Sequence, residues 1–222
     1  MVRSDITFGV QQCARFCNNF GQEHEEAVKR ICRYLLKNTS KDLILKPDKT
    51  KGLECYVDDG YTGSWTELSS HDPLSTYSRT GFYITYTRCP ILWRSKVQSL
   101  IALSTTEAEY IALSTTPREV IAIIRLLEDL KSQGFPIHGS TPLIKCKTFE
   151  DNMSCTSLAT NHKTRPHTKY LCIKLHHFHS YVVNKIISIE YVSTNDQIAD
   201  IFTKPLARPQ FTKLRDLLMF WN

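Results

Sequence analysis

Residues 53–60 read LECYVDDG, in which an apolar and aromatic run from Leu53 to Val57 ends on two carboxylates and a glycine. Such a run predicts a strand with Asp58 just past its end. Working downstream, Gly81 to Thr87 and Ile91 to Lys96 have the same β-branched and aromatic content, and they predict an antiparallel meander of three strands. A helix follows, because Ser104-Thr105-Thr106-Glu107 is a capping box with serine at the N-cap and glutamate at the third helical position. Pro117 would cost about 3 kcal/mol inside that helix. Thr116-Pro117-Arg118-Glu119 has the form of a second capping box with proline at the permitted first position, which predicts a break and a restart running to about Lys131. Beyond it come a strand from Leu143 to Phe149, a short helix after Asp151, a longer helix from about Thr168 to Asn184, a strand from Ile186 to Val192 and terminal helices. The order βββαβ, then helices, then β and α, predicts a mixed sheet with helices on its faces.

Upstream of residue 53, apolar residues at helical spacing (Ile6, Val10, Cys13, Ala14 and Cys17, then Ala27, Val28, Ile31, Cys32 and Leu35) predict two amphipathic helices. Their own core is small, so the pair must pack on the rest of the chain or on another part of a longer protein. Lys46 to Thr50, with Pro47, is the natural boundary.

The 222 residues, 41% hydrophobic and 23% charged, suffice for one main core. No apolar run approaches the roughly 18 residues that cross a bilayer, and the N-terminus does not lead into a signal peptide. The expectation is a soluble, intracellular protein, cytoplasmic or nuclear, without membrane contact. Eight cysteines are scattered singly without a C-x-x-C pair, which predicts reduced, mostly buried thiols. The net charge of +6 is uneven: between Asn161 and Ile189 there is no acid, while Lys163, Arg165, Lys169, Lys174 and Lys185 stand among His162, His167, His176, His177 and His179. Such a stretch could follow a phosphate backbone. A solvated basic helix face is the alternative.

Asp58, Glu109, Asp151 and Asp196 stand at the ends of predicted elements, where strand ends and helix starts converge on one sheet edge. Carboxylates gathered there repel one another unless a cation sits between them, and hard oxygen ligands favour Mg²⁺ or Mn²⁺. Two such ions could activate a water and stabilise the leaving oxygen of a phosphodiester, so that no serine or cysteine nucleophile is required. Each acid also has an ordinary explanation, as a turn residue (Asp58, Asp151) or as a partner of a helix dipole (Asp196). Capping accounts for Glu107 but not for Glu109, two residues on and nearly across the helix.

Residues 52 to 114, in GLECYVDDGYTGSW, SRTGFYITYTRCPILWRSK and ALSTTEAEYIALS, resemble the ribonuclease H region of copia-type LTR retrotransposon polyproteins. The same register continues through EDNMS at 150–154, HKTRPHTKYLCIKLHHF at 162–178 and YVSTNDQIADIFTKPL at 191–206. RSDITFGVQQCARF and HEEAVKRICRYL, within residues 3 to 38, resemble the segment that links reverse transcriptase to ribonuclease H in those polyproteins. The resemblance implies a ribonuclease H-like mixed five-stranded sheet with helices on both faces, preceded by a small helical segment. It implies an enzyme that hydrolyses the RNA strand of RNA-DNA hybrids with Mg²⁺ or Mn²⁺ and no small-molecule cofactor, alongside the remainder of a reverse transcriptase polyprotein. The family's metal ligands fall on Asp58, Glu109, Asp151 and Asp196, with Asp200, one turn on, as the fallback for the fourth. Lys163, Arg165, Lys169 and Lys174 are the candidate nucleic-acid contacts. The division is 1–48 as the helical connection, 49–206 as the ribonuclease H-like domain and 207–222 as a helical tail.

Tyr56-Val57-Asp58-Asp59 also matches the Y-x-D-D string of polymerase sites, but Gly60-Tyr61-Thr62-Gly63 follows where a second apolar strand belongs. Asp59 then stands in place of the alanine of the family's usual pattern. Gly60 stands where that pattern has a second aspartate, Cys172 replaces a usual acid, and Pro117 interrupts a helix that is normally continuous. These departures keep a rival open, a catalytically inactive nucleic-acid-binding relic of the same polyprotein. His176, His177 and His179 lack the spacing of a common zinc site. Trp65, Trp93 and Trp221 are assigned to core packing rather than base stacking.

Overall fold

A computed structural model of the chain describes residues 3–61, 73–138, 143–160 and 179–221. Five strands form one sheet, β1 (Leu53–Gly60), β2 (Arg79–Tyr86), β3 (Cys89–Val97), β4 (Cys146–Glu150) and β5 (Ile187–Tyr191), in the order β3-β2-β1-β4-β5. β1, β2 and β3 are antiparallel neighbours, whereas β4 runs parallel to β1 and β5 parallel to β4. The antiparallel meander and the mixed five-stranded sheet expected from the sequence are both present. β2 and β3 join through Thr87 and Arg88, both at positive φ, as a two-residue hairpin loop with right-handed strand twist demands.

Both faces of the sheet are covered. On one, Cys55, Val57, Phe82 and Ile84 pack against α3 (Thr105–Ser132) through Ala108, Ile111, Ala112, Leu113, Val120, Ile121 and Ile124. On the other, Tyr83 packs with Ile201 and Phe202 of a 3-10 turn (Ile198–Phe202) and with Leu218, Met219 and Trp221 at the end of the C-terminal helix. Trp221 is buried and donates from Nε1 to Asp42 O, and Trp93 packs against the same cluster, while Trp65 lies outside the described residues.

α3 corrects the reading of Pro117. Ser104 Oγ does accept from Glu107 N at 3.1 Å, but the helix then runs without interruption from Thr105 to Ser132 with Pro117 inside it. Thr116 does not cap a second helix; its hydroxyl donates back to Ala112 O, and Glu119 pairs with Arg94 on β3 instead. Energetics explain the outcome, because each large apolar side chain buried on either side of Pro117 contributes roughly 1.5–3 kcal/mol, and together they outweigh the proline penalty of about 3 kcal/mol. One continuous rod keeps both halves of the apolar stripe on the sheet.

The N-terminal helices are α1 (Thr7–Ala14) and α2 (Gln22–Lys37), and α1 packs on α2, on β3 and on the Ile198–Phe202 turn. The small pair therefore rests on the sheet-bearing part of the chain. α4 (Met153–Thr160) follows β4, and α5 (Arg208–Met219) closes the second face. Residues 179–183 are helical, and the rest of the long helix expected from Thr168 lies outside the described residues. Of the seven cysteines described, all free, only Cys55, Cys146 and Cys155 are buried, so the expectation of mostly buried thiols fails for Cys13, Cys17, Cys32 and Cys89. Among the described residues no helix is long and apolar enough to cross a membrane.

Candidate metal centre

Parallel pairing of β1 with β4 aligns Tyr56 with Phe149. Two residues further on, Asp58 near the end of β1 and Asp151 just past the end of β4 come to the same sheet edge. Glu109, in the second turn of α3, is brought over that edge by the packing of α3 on β1. One carboxylate oxygen from each of Asp58, Glu109 and Asp151 lies within 4.8 Å of the others. This acidic triad could hold a metal ion.

The fourth expected residue is not brought to the group. Asp196 sits in a separate turn (Thr194–Asp196) with its side chain 59% exposed, paired with Lys213 Nζ at 2.8 Å. Asp200 is the acid that reaches inward. It is buried in the Ile198–Phe202 turn between Ala199 and Ile201, and Gln197 anchors that turn by donating from Nε2 to Val57 O at 2.9 Å. The difference is local: Thr194, Asn195 and Asp196 are polar and remain outside, whereas the apolar neighbours of Asp200 pull it onto the sheet. The turn can settle there because β1 and β2 carry glycines beneath it. A Cβ on Gly81 would come within 2.5 Å of Thr203 Cγ2 and 2.8 Å of Phe202 Cβ, and one on Gly60 within 2.5 Å of Thr203 O. Gly60 therefore suits the close approach of the turn.

Four neighbours went unassigned in the sequence. Lys204 Nζ lies 2.9 Å from Asp200 Oδ1 and 3.6 Å from Asp58 Oδ2, and the Thr203 hydroxyl donates to Asp58 Oδ2. Glu150, the last residue of β4, is fully buried beside Glu109, and Asp59 is buried on the α3 side. The i,i+4 spacing of Asp200 and Lys204 was the available signal for the first. Nothing distinguished Glu150 or Asp59 from ordinary strand-end residues.

Burial governs the electrostatics. It lifts Asp58 well above the carboxylate range, an effect opposed by Lys204 and reinforced by Asp200. Burial lifts Glu109 likewise, with Glu150, Asp58 and Asp59 adding repulsion. Asp59 is pushed up to about 7 and Glu150 to about 8, in each case chiefly by burial, and hydrogen bonding to Glu109 partly offsets the shift. Two carboxyl groups can make such a bond only by sharing a proton. Burial also raises Asp200, against the pull of Lys204. Lys204 keeps its charge firmly, since Asp58 and Asp200 outweigh the desolvation that acts on it. Lys163, Arg165, Lys169 and Lys174 lie outside the described residues, as do His176 and His177. His179 belongs to no metal-ligand group among the described residues.

No family model matches the chain. It is 33% identical over 97% of its length to the retrovirus-related Pol polyprotein from transposon TNT 1-94 of Nicotiana tabacum, and 33% identical over 94% to that from transposon RE1 of Arabidopsis thaliana. Its homologues are retrovirus-related Pol polyproteins of plant transposons. The chain spans only 15% and 13% of the length of those two Pol polyproteins, and the 216 residues matched to the first include the whole carboxylate site. Among solved structures, LC11-RNase H1 from compost superposes with a TM-score of 0.42 at 18% identity, covering 68% of this chain and 92% of that one. RNase H1 from Halobacterium salinarum NRC-1 gives 0.41 at 15%, covering 69% and 95%.

Proposed function

We propose that this Pol-related chain is a ribonuclease H that hydrolyses the RNA strand of RNA-DNA hybrids at a centre for Mg²⁺ or Mn²⁺. The observation that carries the reading is the convergence of Asp58, Glu109 and Asp151 within 4.8 Å. The donor set fits a hard divalent cation: all-oxygen, largely buried, and with Asp58 Oδ1 and Glu109 Oε2 lacking a hydrogen-bond partner among the described residues. Asp200 is the natural fourth ligand, and Asp196 is not. When bound, divalent ions would supply an activated water and charge stabilisation of the leaving oxygen.

The chain's own groups prepare this chemistry. Thr203 fixes the Asp58 carboxylate by its hydroxyl. Lys204, with about a third of its side chain exposed, offsets the repulsion between Asp58 and Asp200 and presents a cation at the mouth where a phosphodiester would arrive. Lys163, Arg165, Lys169 and Lys174 would follow the hybrid's backbone. The rest of a reverse transcriptase polyprotein is the proposed partner of α2, whose Val28 and Leu36 are exposed.

The test is strand discrimination. With Mg²⁺ the purified chain should cut the RNA of a labelled RNA-DNA hybrid and spare duplex DNA of the same sequence. Salt-sensitive hybrid binding without any cutting, in Mg²⁺ or Mn²⁺, would replace this reading with that of an inactive nucleic-acid-binding relic.

A further inference from the structure

On the sheet face away from α3, Arg79 at the start of β2 is only 5% exposed. Its Nη1 donates to Ser95 Oγ at 3.0 Å and its Nη2 to Gln12 Oε1 at 2.7 Å, and its guanidinium lies 5.5 Å from the centre of the Phe8 ring. Among the described residues no carboxylate lies within ion-pairing distance of it. A second guanidinium converges on the same amide oxygen, since Arg15 Nη1 donates to Gln12 Oε1 at 3.4 Å. Burial and the nearby Arg15 charge together pull Arg79 down to about 10. Neutral oxygens compensate only part of the cost of burying a charge, which runs to several kcal/mol without a counter-ion. A buried guanidinium so placed, with a second guanidinium converging beside it, makes an anion receptor, and the guanidinium fork suits phosphate.

The space around them limits what can enter. Gln12, Arg15, Gly60, Tyr77, Arg79 and Thr203 line a cleft whose free volume is about 10 Å³. That is room for roughly one water-sized atom. A wholly enclosed small anion does not fit, whereas a phosphate carried on a larger molecule can insert one oxygen towards Arg79 and rest against Arg15 at the mouth. The cleft also adjoins the carboxylates. Gly60 stands two residues beyond Asp58 on the same strand face, about 6.6 Å along, and Thr203, another wall of the cleft, bonds to Asp58. A strand advancing 3.4 Å per nucleotide covers that separation in about two nucleotides.

We propose that Arg79 and Arg15 bind one backbone phosphate of the nucleic acid, within about two nucleotides of the phosphodiester held at the carboxylates. Half of this subsite comes from Arg15, the residue that follows α1, so the segment ahead of the sheet takes part in substrate binding. The proposal rests on the nuclease reading for the carrier of the phosphate.

Hybrid binding in EDTA, where no turnover occurs, tests it across a salt series. Arg15→Gln should weaken binding and flatten the slope of log K against log salt by about 1. Arg79→Lys, which keeps the charge and gives up the fork, should weaken binding with the slope retained. If Arg79→Lys does not fold, Arg15→Gln decides alone: wild-type affinity and slope overturn the proposal. Inorganic phosphate at constant ionic strength supplies a second arm. Protection of the wild type against melting by phosphate, with the hybrid slope of Arg15→Gln unchanged, assigns the cleft to free phosphate and overturns the backbone assignment. Flattened slope without Mg²⁺-dependent cleavage supports this subsite and sinks only the nuclease reading. Absence of hybrid binding by the wild type overturns both.

Discussion

Asp196 and Asp200 are one helical turn apart in sequence and differ in almost every physical respect. Asp196 shares a surface ion pair with Lys213, an arrangement worth at most about 1 kcal/mol. Asp200 is buried against Asp58 and Lys204. Asp200→Asn should therefore cut hybrid cleavage by more than the roughly 10- to 100-fold that outer-shell changes cost at metal sites, whereas Asp196→Asn should leave the rate near wild type. Single-turnover rates of the two variants settle the choice, and the reverse ranking would restore Asp196. The raised acids set a second prediction. Asp59 at about 7 and Glu150 at about 8 hold protons that the unfolded chain releases near pH 4. Their contribution to stability is fully present below the unfolded values and is lost as pH rises through the folded ones. In EDTA the melting temperature should fall between about pH 5 and 8. A flat or rising curve, followed by circular dichroism, would contradict the crowding of acids described here. Lys204, raised rather than lowered, contributes no change in that window.

At the scale of elements, the sequence was most legible where composition and burial agree. β1 to β3 follow their β-branched and aromatic runs, and Glu109 was separable from Glu107 because capping claims only the latter. It was least legible where tertiary packing overrides a local rule. Pro117 satisfies every local criterion for a helix start, yet residues on both sides of it share one buried stripe, which no local signal reveals. Asp200 was legible only as a fallback, because spacing alone does not say which acid of a turn faces the sheet; the apolar run around it would have. Since Pro117 sits inside a continuous helix, Pro117→Ala should stabilise the chain by up to about 3 kcal/mol. Thermal melts should rise by about 2–4 °C per kcal/mol for a chain of this size, and a lower melting temperature would mean the proline is accommodated without cost. Gly81→Ala acts in the opposite sense. Its new Cβ would collide with Thr203 and Phe202, lift the turn that carries Asp200 and Lys204, and lower both stability and cleavage. Retention of both would show that the turn is not seated as described.

For the molecule as a whole, the carboxylates converge because two parallel strands, one long helix and a glycine-floored turn meet at a single edge. That arrangement crowds acidic groups in a protein whose net charge is +6, and it is the region that a divalent cation would stabilise most. Cation binding to the folded form alone contributes about 2.7 kcal/mol at a hundred times Kd, so saturating Mg²⁺ should raise the melting temperature by roughly 5–10 °C. The most direct measurement of the central claim is cleavage of a labelled RNA-DNA hybrid in Mg²⁺ by the wild type beside Asp151→Asn, with melts confirming that both are folded. The account predicts RNA products from the wild type, none without the metal, and none from Asp151→Asn. Equal cleavage by the two proteins, or none by the folded wild type in Mg²⁺ or Mn²⁺, would contradict it.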